Sequence, residues 1–164
     1  MTWFLRRAGL GDLADIMRIE TATFANDAWS EKAMAAELES EHTYYLVAER
    51  NDTGEVQGYA GLLAPAGSRQ GDIQTIAVDE AARRGGLGRT LMLQLMDEAR
   101  RRGAREIFLE VRADNPGAKR LYDELGFEVI GVRPRYYQPD GVDAIVMRAT
   151  LKHPITGVAE EGAS

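Results

Sequence analysis

The hydrophobic residues of this chain change their spacing repeatedly, and this change limits the folds that are open to it. In 107–112, Ile-Phe-Leu-Glu-Val-Arg, the apolar side chains alternate as in a strand, whereas Leu87, Leu91, Leu95 and Ala99 recur at helical spacing. Strands and helices that share one chain are typical of an α/β or α+β protein. The length of 164 residues and a hydrophobic content of 45% predict one domain with a sizeable core.

Strand-like and helix-like segments follow one another along the chain. Helices are predicted over 13–24, after a capping Ser30, from Leu87 to Gly103, and from Asn115-Pro116 to Gly126. Predicted strands cover 2–7, 44–50, 56–64, 72–78, 107–111, 127–132 and 142–151, and a loop with Pro134, Pro139 and Gly141 separates the last two. The second and third strands form a hairpin. We expect a domain over 1–151 and a flexible tail over 152–164.

The composition excludes several classes of function. The chain has no cysteine and two histidines, so we predict neither disulfides nor a metal site. A formal charge of −6 argues against a nucleic-acid binder. No apolar stretch approaches the roughly 18 residues of a membrane span, and the N-terminus lacks a signal-peptide core. We therefore expect a cytoplasmic protein that binds neither a membrane nor a nucleic acid directly.

A glycine-rich turn joins a predicted strand to the start of an amphipathic helix. Residues 83–90 read Arg-Arg-Gly-Gly-Leu-Gly-Arg-Thr. Free N–H groups and the helix dipole favour an anion there, and glycines allow close approach to the backbone. Neither the nucleoside-triphosphate loop nor the dinucleotide fingerprint fits the spacing. The alternatives are a tight solvated turn and a pyrophosphate site, and the neighbouring arginines favour the second.

Two further side chains suit acid–base chemistry. Alternation puts Glu110 on the face of its strand that also carries Phe108 and Arg112. Partial burial would raise its proton affinity and make it a general base, and the simpler alternative is an ion pair with Arg112. Tyr122 fits core packing, but a phenol with a pKa near ~10 is also a proton donor at neutral pH. Asn115 needs no role beyond its helix cap, although its amide is also suited to a ligand.

Residues 83–88 resemble the acyl-coenzyme-A signature of the GCN5-related N-acetyltransferases, where Gln or Arg precedes two variable residues, Gly, any residue, and Gly or Ala. Other segments are similar to the ribosomal-protein-alanine (RimI-type) N-acetyltransferases: Ile-Gln-Thr-Ile-Ala-Val at 73–78, Leu-Glu-Val-Arg at 109–112, Asn115, Leu-Tyr at 121–122, Leu-Gly-Phe at 125–127 and Arg-Tyr-Tyr at 135–137. The chain departs from that family at Ala28, where proline is usual, and at Gly85, where a polar residue is typical.

The resemblance implies a GNAT fold, in which helices flank a mixed, mostly antiparallel sheet with splayed central strands. It also implies transfer from acetyl-CoA, as a co-substrate and without a metal, to the N-terminal α-amine of a protein, the alanine of ribosomal small-subunit protein eighteen. It makes Glu110 the base and Tyr122 the acid that protonates the thiolate. The resemblance also implies that the backbone of Ile76, Ala77 and Val78 binds the pantetheine arm and that Asn115 contacts the cofactor. It implies that the pyrophosphate is bound by the turn formed by Arg83, Arg84, Gly85, Gly86, Leu87, Gly88 and Arg89. The acceptor groove is implied to be shaped by Arg135, Tyr136 and Tyr137. We take the enzyme to be a monomer.

Three other functions remain as alternatives. A related acetyltransferase would modify lysine side chains, small amines or an antibiotic. A noncatalytic acyl-CoA sensor would bind the cofactor without turnover, and the presence of both Glu110 and Tyr122 argues against it. A nucleotide-binding protein would bind ATP and not coenzyme A.

Overall fold

One seven-stranded sheet organises the computed structural model, which describes residues 2–152. The spatial order is β1-β2-β3-β4-β5-β7-β6. The strands are β1 (Trp3–Arg7), β2 (Thr43–Arg50), β3 (Val56–Leu63), β4 (Gln70–Val78), β5 (Glu106–Arg112), β6 (Glu128–Tyr137) and β7 (Val142–Thr150). Neighbouring strands are antiparallel except β4 and β5, which are parallel. This confirms the predicted mixed, mostly antiparallel sheet. Apart from Lys152, the predicted tail lies outside the described residues.

The two parallel strands separate soon after they meet. Their pairing covers only Gln70–Asp72 against Glu106–Phe108. Beyond that point β4 continues along β3 as far as Val78, and β5 continues along β7 as far as Arg112. The central strands therefore splay apart, as the resemblance implies, and main-chain groups of β4 that face β5 are left free of the ladder.

Helices cover both faces of the sheet. The helices are α1 (Leu13–Phe24), α2 (Glu31–Glu39), α3 (Leu87–Arg101) and α4 (Pro116–Glu124). The predicted stripe of α3 is buried against one face, where Leu91, Leu95 and Ala99 are 0% exposed. Ile16 and Ile19 of α1 pack with Tyr59 on the opposite face. Because β2 and β3 contribute side chains to both clusters, the middle of the sheet is buried on both sides.

The predicted helix starts at Ser30 and Asn115 are confirmed. The Ser30 hydroxyl accepts a hydrogen bond from the Ala33 amide (3.0 Å), and the Asn115 side chain accepts one from the Ala118 amide (3.2 Å). Pro116 follows Asn115 at the first helical position, where its missing N–H costs no hydrogen bond. Local sequence therefore determines where α2 and α4 begin.

The prediction that the sixth strand ends at Val132 and is followed by a loop with Pro134 is wrong, because β6 continues to Tyr137. β6 lies at the edge of the sheet, and its register with β7 is interrupted between Arg133 and Tyr137. Proline is tolerated there, since no ladder hydrogen bond from its nitrogen is needed. Arg135 within the interruption has a left-handed backbone with φ +51°. Within residues 2–152, none of the helices is long and apolar enough to cross a bilayer.

Candidate active site

The glycine-rich turn is built to present backbone amides. Gly86 caps the N-terminus of α3 in a left-handed conformation, with φ +80°. The first N–H groups of a helix have no partner within it, so those of the following residues face outward from the helix end. The Arg83 side chain turns back, with Nε 3.1 Å from the Val78 carbonyl oxygen. This arrangement matches the electrostatics of an anion site.

A cavity of about 940 Å³, the glycine-loop cavity, extends from this turn into the gap between β4 and β5. Its walls include most residues for which the sequence predicts a role. These are Ile76, Ala77, Val78, Arg83, Arg84, Gly86, Leu87, Gly88, Arg89, Glu110, Asn115, Tyr122 and Tyr137. Gly85 is not part of the lining. Its position faces Trp3, because a Cβ added to Gly85 would lie 2.7 Å from Trp3 Cη2.

A second cavity, the β6 cavity, has a volume of about 930 Å³ and is bounded by β4, β5 and β6. Tyr136 and Tyr137 line it, whereas Arg135 lines neither cavity. The Arg135 amide donates a hydrogen bond to Asp143 Oδ1 at 2.9 Å. The two cavities share one wall, formed by Asp27, Trp29, Ile73, Gln74, Leu109, Glu110 and Tyr137. A molecule bound in one cavity can therefore approach a molecule bound in the other next to Glu110.

Glu110 is paired with a residue that the sequence did not suggest. Its carboxylate lies 2.5 Å from Nε of Arg133, whose side chain reaches it from β6 across β7. The alternative considered from the sequence, an ion pair with Arg112, does not form, because Arg112 contacts Asp27, Asp114 and Asp140 instead. The Glu110 side chain is 30% exposed, so the carboxylate is oriented by Arg133 and still accessible from the shared wall.

Tyr122 packs in the core and also lines a cavity. Its ring meets Phe127 edge to face, with centroids 6.0 Å apart, and the residue is only 7% exposed. It also lines the glycine-loop cavity. Burial, together with the nearby Tyr137, raises the pKa of the Tyr122 phenol to about 12. The hydroxyl is therefore protonated at neutral pH and able to donate into the cavity.

A buried carboxylate was missed from the sequence. Glu20 of α1 is 1% exposed and lines the glycine-loop cavity. It accepts hydrogen bonds from the Trp29 amide and from Thr75 Oγ1, both at 3.0 Å, and from the Tyr59 hydroxyl. Burial raises its pKa. The available signal was a single acidic residue within the otherwise apolar stripe of α1.

The charge of Glu110 influences two titratable groups of the β6 cavity. Partial burial and the charge of Glu110 raise the pKa of Asp72. The same two causes, with smaller contributions from Tyr136 and Asp27, raise the pKa of Tyr137 to about 12. Within residues 2–152, the structure shows no cluster of three or more His, Cys, Asp or Glu residues suited to a metal ion.

The sequence and the fold are similar to those of known acetyltransferases. The acetyltransferase (GNAT) family model matches residues 13–127. N-alpha-acetyltransferase RimI of Mycobacterium tuberculosis is 39% identical over 131 residues, which are 79% of this chain and 80% of that protein. An uncharacterized protein of Mycobacterium leprae is 41% identical over 140 residues, and the match covers 84% of this chain but only 38% of the relative. The crystal structure of the ribosomal-protein-S18-alanine N-acetyltransferase from Escherichia coli has a TM-score of 0.81 and 31% identity, and covers 96% of this chain and 99% of its own.

Proposed function

Because the chain belongs to the acetyltransferase (GNAT) family, we propose that it transfers the acetyl group of acetyl-CoA to the N-terminal α-amine of a protein. The acceptor we propose is the alanine of ribosomal small-subunit protein eighteen, because a solved relative with 31% identity is named for that reaction. The site of action would then be the cytoplasm, and the enzyme is taken to act as a monomer.

One observation carries this proposal: the glycine-loop cavity and the β6 cavity share a wall that contains Glu110. Acyl transfer needs a site for a long donor and a separate site for an acceptor, with the reacting atoms together. The amides at the start of α3 suit a pyrophosphate, and the splayed part of β4 suits an extended arm with amide groups. The β6 cavity is left for the acceptor.

The lining of the glycine-loop cavity supports the residues proposed to hold the donor. Main-chain groups of Ile76, Ala77 and Val78 would bind the pantetheine arm. The amides of the glycine-rich turn would bind the pyrophosphate, and Asn115 stands at the rim of the same cavity. Gly85 has a different place in the proposal, since it allows the turn to pack against Trp3. Arg135 would shape the acceptor groove only through the backbone of β6.

Glu110 and Tyr122 divide the proton transfers. The acceptor nitrogen must be neutral to form the new C–N bond, and a chain-terminal amine with a pKa of about 7.7–8.0 is more easily deprotonated than lysine at about 10.4. Glu110 takes the amine proton directly or through water. As the C–S bond breaks, Tyr122 donates its hydroxyl proton to the departing thiolate. Its raised pKa means that this hydroxyl is present throughout the neutral range.

Mass spectrometry of ribosomal proteins incubated with the enzyme and acetyl-CoA tests the proposal. The expected result is one added acetyl group, located by fragmentation at the N-terminus of protein eighteen. An N-terminally blocked version of the same protein controls for side-chain acetylation. Modification restricted to lysine side chains or to a panel of small amines would instead indicate a different acceptor class. Binding of coenzyme A with no product on any acceptor would indicate a sensor.

A further inference from the structure

Arg112, at the end of β5, joins three separate segments of the chain. Its Nε lies 2.9 Å from Asp114, its Nη2 lies 3.1 Å from Asp140, and its Nη1 contacts Asp27. The guanidinium carbon also lies 5.1 Å from the ring centroid of Tyr137. Only 20% of the Arg112 side chain is exposed. One cation thus contacts the turn after α1, the turn after β5 and the turn after β6.

Two of these segments border the β6 cavity. Asp27 lies in the turn after α1 and belongs to the wall that both cavities share. Tyr137 and Gln138 line the β6 cavity directly before the turn that carries Asp140. We propose that Arg112 is a positioning residue that fixes the distance between these two segments and so sets the width of the acceptor site. This inference rests on the proposed function.

Charge balance explains why Arg112 holds the two segments together, and we call this set of ion pairs the Arg112 latch. Three carboxylates surround one guanidinium, and Arg112 holds the pKa of Asp114 below its usual range. Without the cation, Asp27 and Asp140 would repel each other and the two segments would separate. A lysine would restore the charge, but its compact ammonium cannot reproduce the planar fork of an arginine that contacts three partners.

The first measurement uses the free enzyme and needs no acceptor. Hydrogen exchange followed by mass spectrometry measures how fast the backbone amides of 25–30 and 138–143 exchange. In Arg112→Gln these amides should exchange at least about five times faster than in the wild type. Arg148→Gln is the matched control, because Arg148 is also a sheet residue paired with an acid, Glu106, at 3.7 Å, and lines neither cavity. Unchanged exchange in both segments would overturn the proposal whatever the acceptor is.

Steady-state kinetics supply the second measurement. Arg112→Gln should raise KM for the acceptor peptide about tenfold, the effect of losing hydrogen bonds to charged groups. Because Arg112 and Asp27 also line the glycine-loop cavity, KM for acetyl-CoA should rise as well, but by a clearly smaller factor. Arg112→Lys should give an intermediate value. Equal increases in both constants, or a loss confined to kcat, would contradict a role in acceptor positioning. An inactive wild-type enzyme that still shows the exchange difference would reject the proposed function and retain the latch.

A double-mutant cycle distinguishes loss of the Arg112–Asp140 contact from a general folding defect of Arg112→Gln. Asp140 is 45% exposed in a turn, so Asp140→Asn removes one contact with little effect on the core. It should raise the acceptor KM about threefold in the wild type and have little further effect in Arg112→Gln, because the two residues act through one contact. Additive effects in the two backgrounds would mean that the residues act independently and would overturn the latch.

Discussion

The Nε atom of Arg133 lies 2.5 Å from a carboxylate oxygen of Glu110, although the two residues are separated by a whole strand. The Arg133 side chain is 59% exposed, and it approaches Glu110 from the outer strand of the sheet. The orientation of the proposed base therefore depends on β6, the strand whose Tyr136 and Tyr137 line the β6 cavity.

Replacing Glu110 by glutamine should reduce kcat by about 10²–10⁴-fold at neutral pH, because the amide cannot accept the amine proton. KM for acetyl-CoA should change by less than about twofold. Glu106→Gln is the matched control, since Glu106 lies on the same strand, is also paired with an arginine, and lines neither cavity. Steady-state assays at saturating acetyl-CoA measure both variants. Wild-type turnover by folded Glu110→Gln would reject Glu110 as the base.

Replacing Tyr122 by phenylalanine should lower kcat about 10²-fold and leave the melting temperature close to that of the wild type. The ring and its contact with Phe127 remain, and only the proton donor is lost. Tyr44→Phe serves as the control, because the Tyr44 ring packs beneath Arg7 and Arg102 outside both cavities. If kcat is unchanged in Tyr122→Phe, the thiolate receives its proton from another source.

The buried Glu20 should make stability depend on pH in a defined direction. Its folded pKa is raised above the ordinary value of 4.5, so its contribution is fully present below that value and is lost as pH rises through the folded pKa. The free energy of unfolding of the wild type, minus that of Glu20→Gln, should therefore fall as pH rises above the ordinary value of 4.5. Urea unfolding at several pH values measures this difference. Glu31→Gln, at the exposed start of α2, should show no comparable trend.

Adding a methyl group at Gly85 should destabilise the protein by about 1–3 kcal/mol, because the Cβ would lie 2.7 Å from Trp3 Cη2. The cost should largely disappear in a Trp3→Ala background. Gly86→Ala is the useful contrast: its Cβ would meet open space, but φ is +80°, so a cost of about 1–2 kcal/mol should persist in both backgrounds. Urea unfolding of the four combinations measures both effects. Equal costs of Gly85→Ala in both backgrounds would exclude steric conflict with Trp3.

Two substitutions at Asn115 should separate its cap from its proposed contact with the cofactor. Asn115→Ala should cost about 1 kcal/mol through loss of the hydrogen bond from Ala118, whereas Asn115→Asp retains a cap acceptor and should cost little. If the amide also meets acetyl-CoA, KM for acetyl-CoA should rise in both variants, as titrations over a range of acetyl-CoA concentrations would show. Ser30→Ala, which removes the cap of α2, should change stability without changing that KM.

Features that depend on neighbours in the sequence could be predicted from it. Alternation in β5 put Leu109 and Val111 on the buried face and Glu110 on the other, as the structure shows. The caps at Ser30 and Asn115 were equally local. The extension of β6 through Pro134 was not predictable in this way, because only the strand order reveals that β6 is an edge and that proline is tolerated there.

Contacts between distant residues were beyond the reach of sequence patterns. Glu20 is bonded to Tyr59 and Thr75, which follow it by 39 and 55 positions. The pairing of Glu110 with Arg133 likewise depends on the order in which β5, β7 and β6 lie side by side. Periodicity assigns such side chains to a face of an element, but the partner is chosen by tertiary packing.

The short ladder between β4 and β5 also means that the cost of leaving the sheet open is met during folding and not during ligand binding. Folding itself leaves the main-chain groups of β4 that face β5 without strand partners beyond Asp72, so no hydrogen-bonded strand has to be displaced before a ligand binds there. An elongated molecule with its own amides gains those bonds while the chain keeps its shape. Such a binding step is preorganised, and its affinity is not reduced by rearrangement of the host.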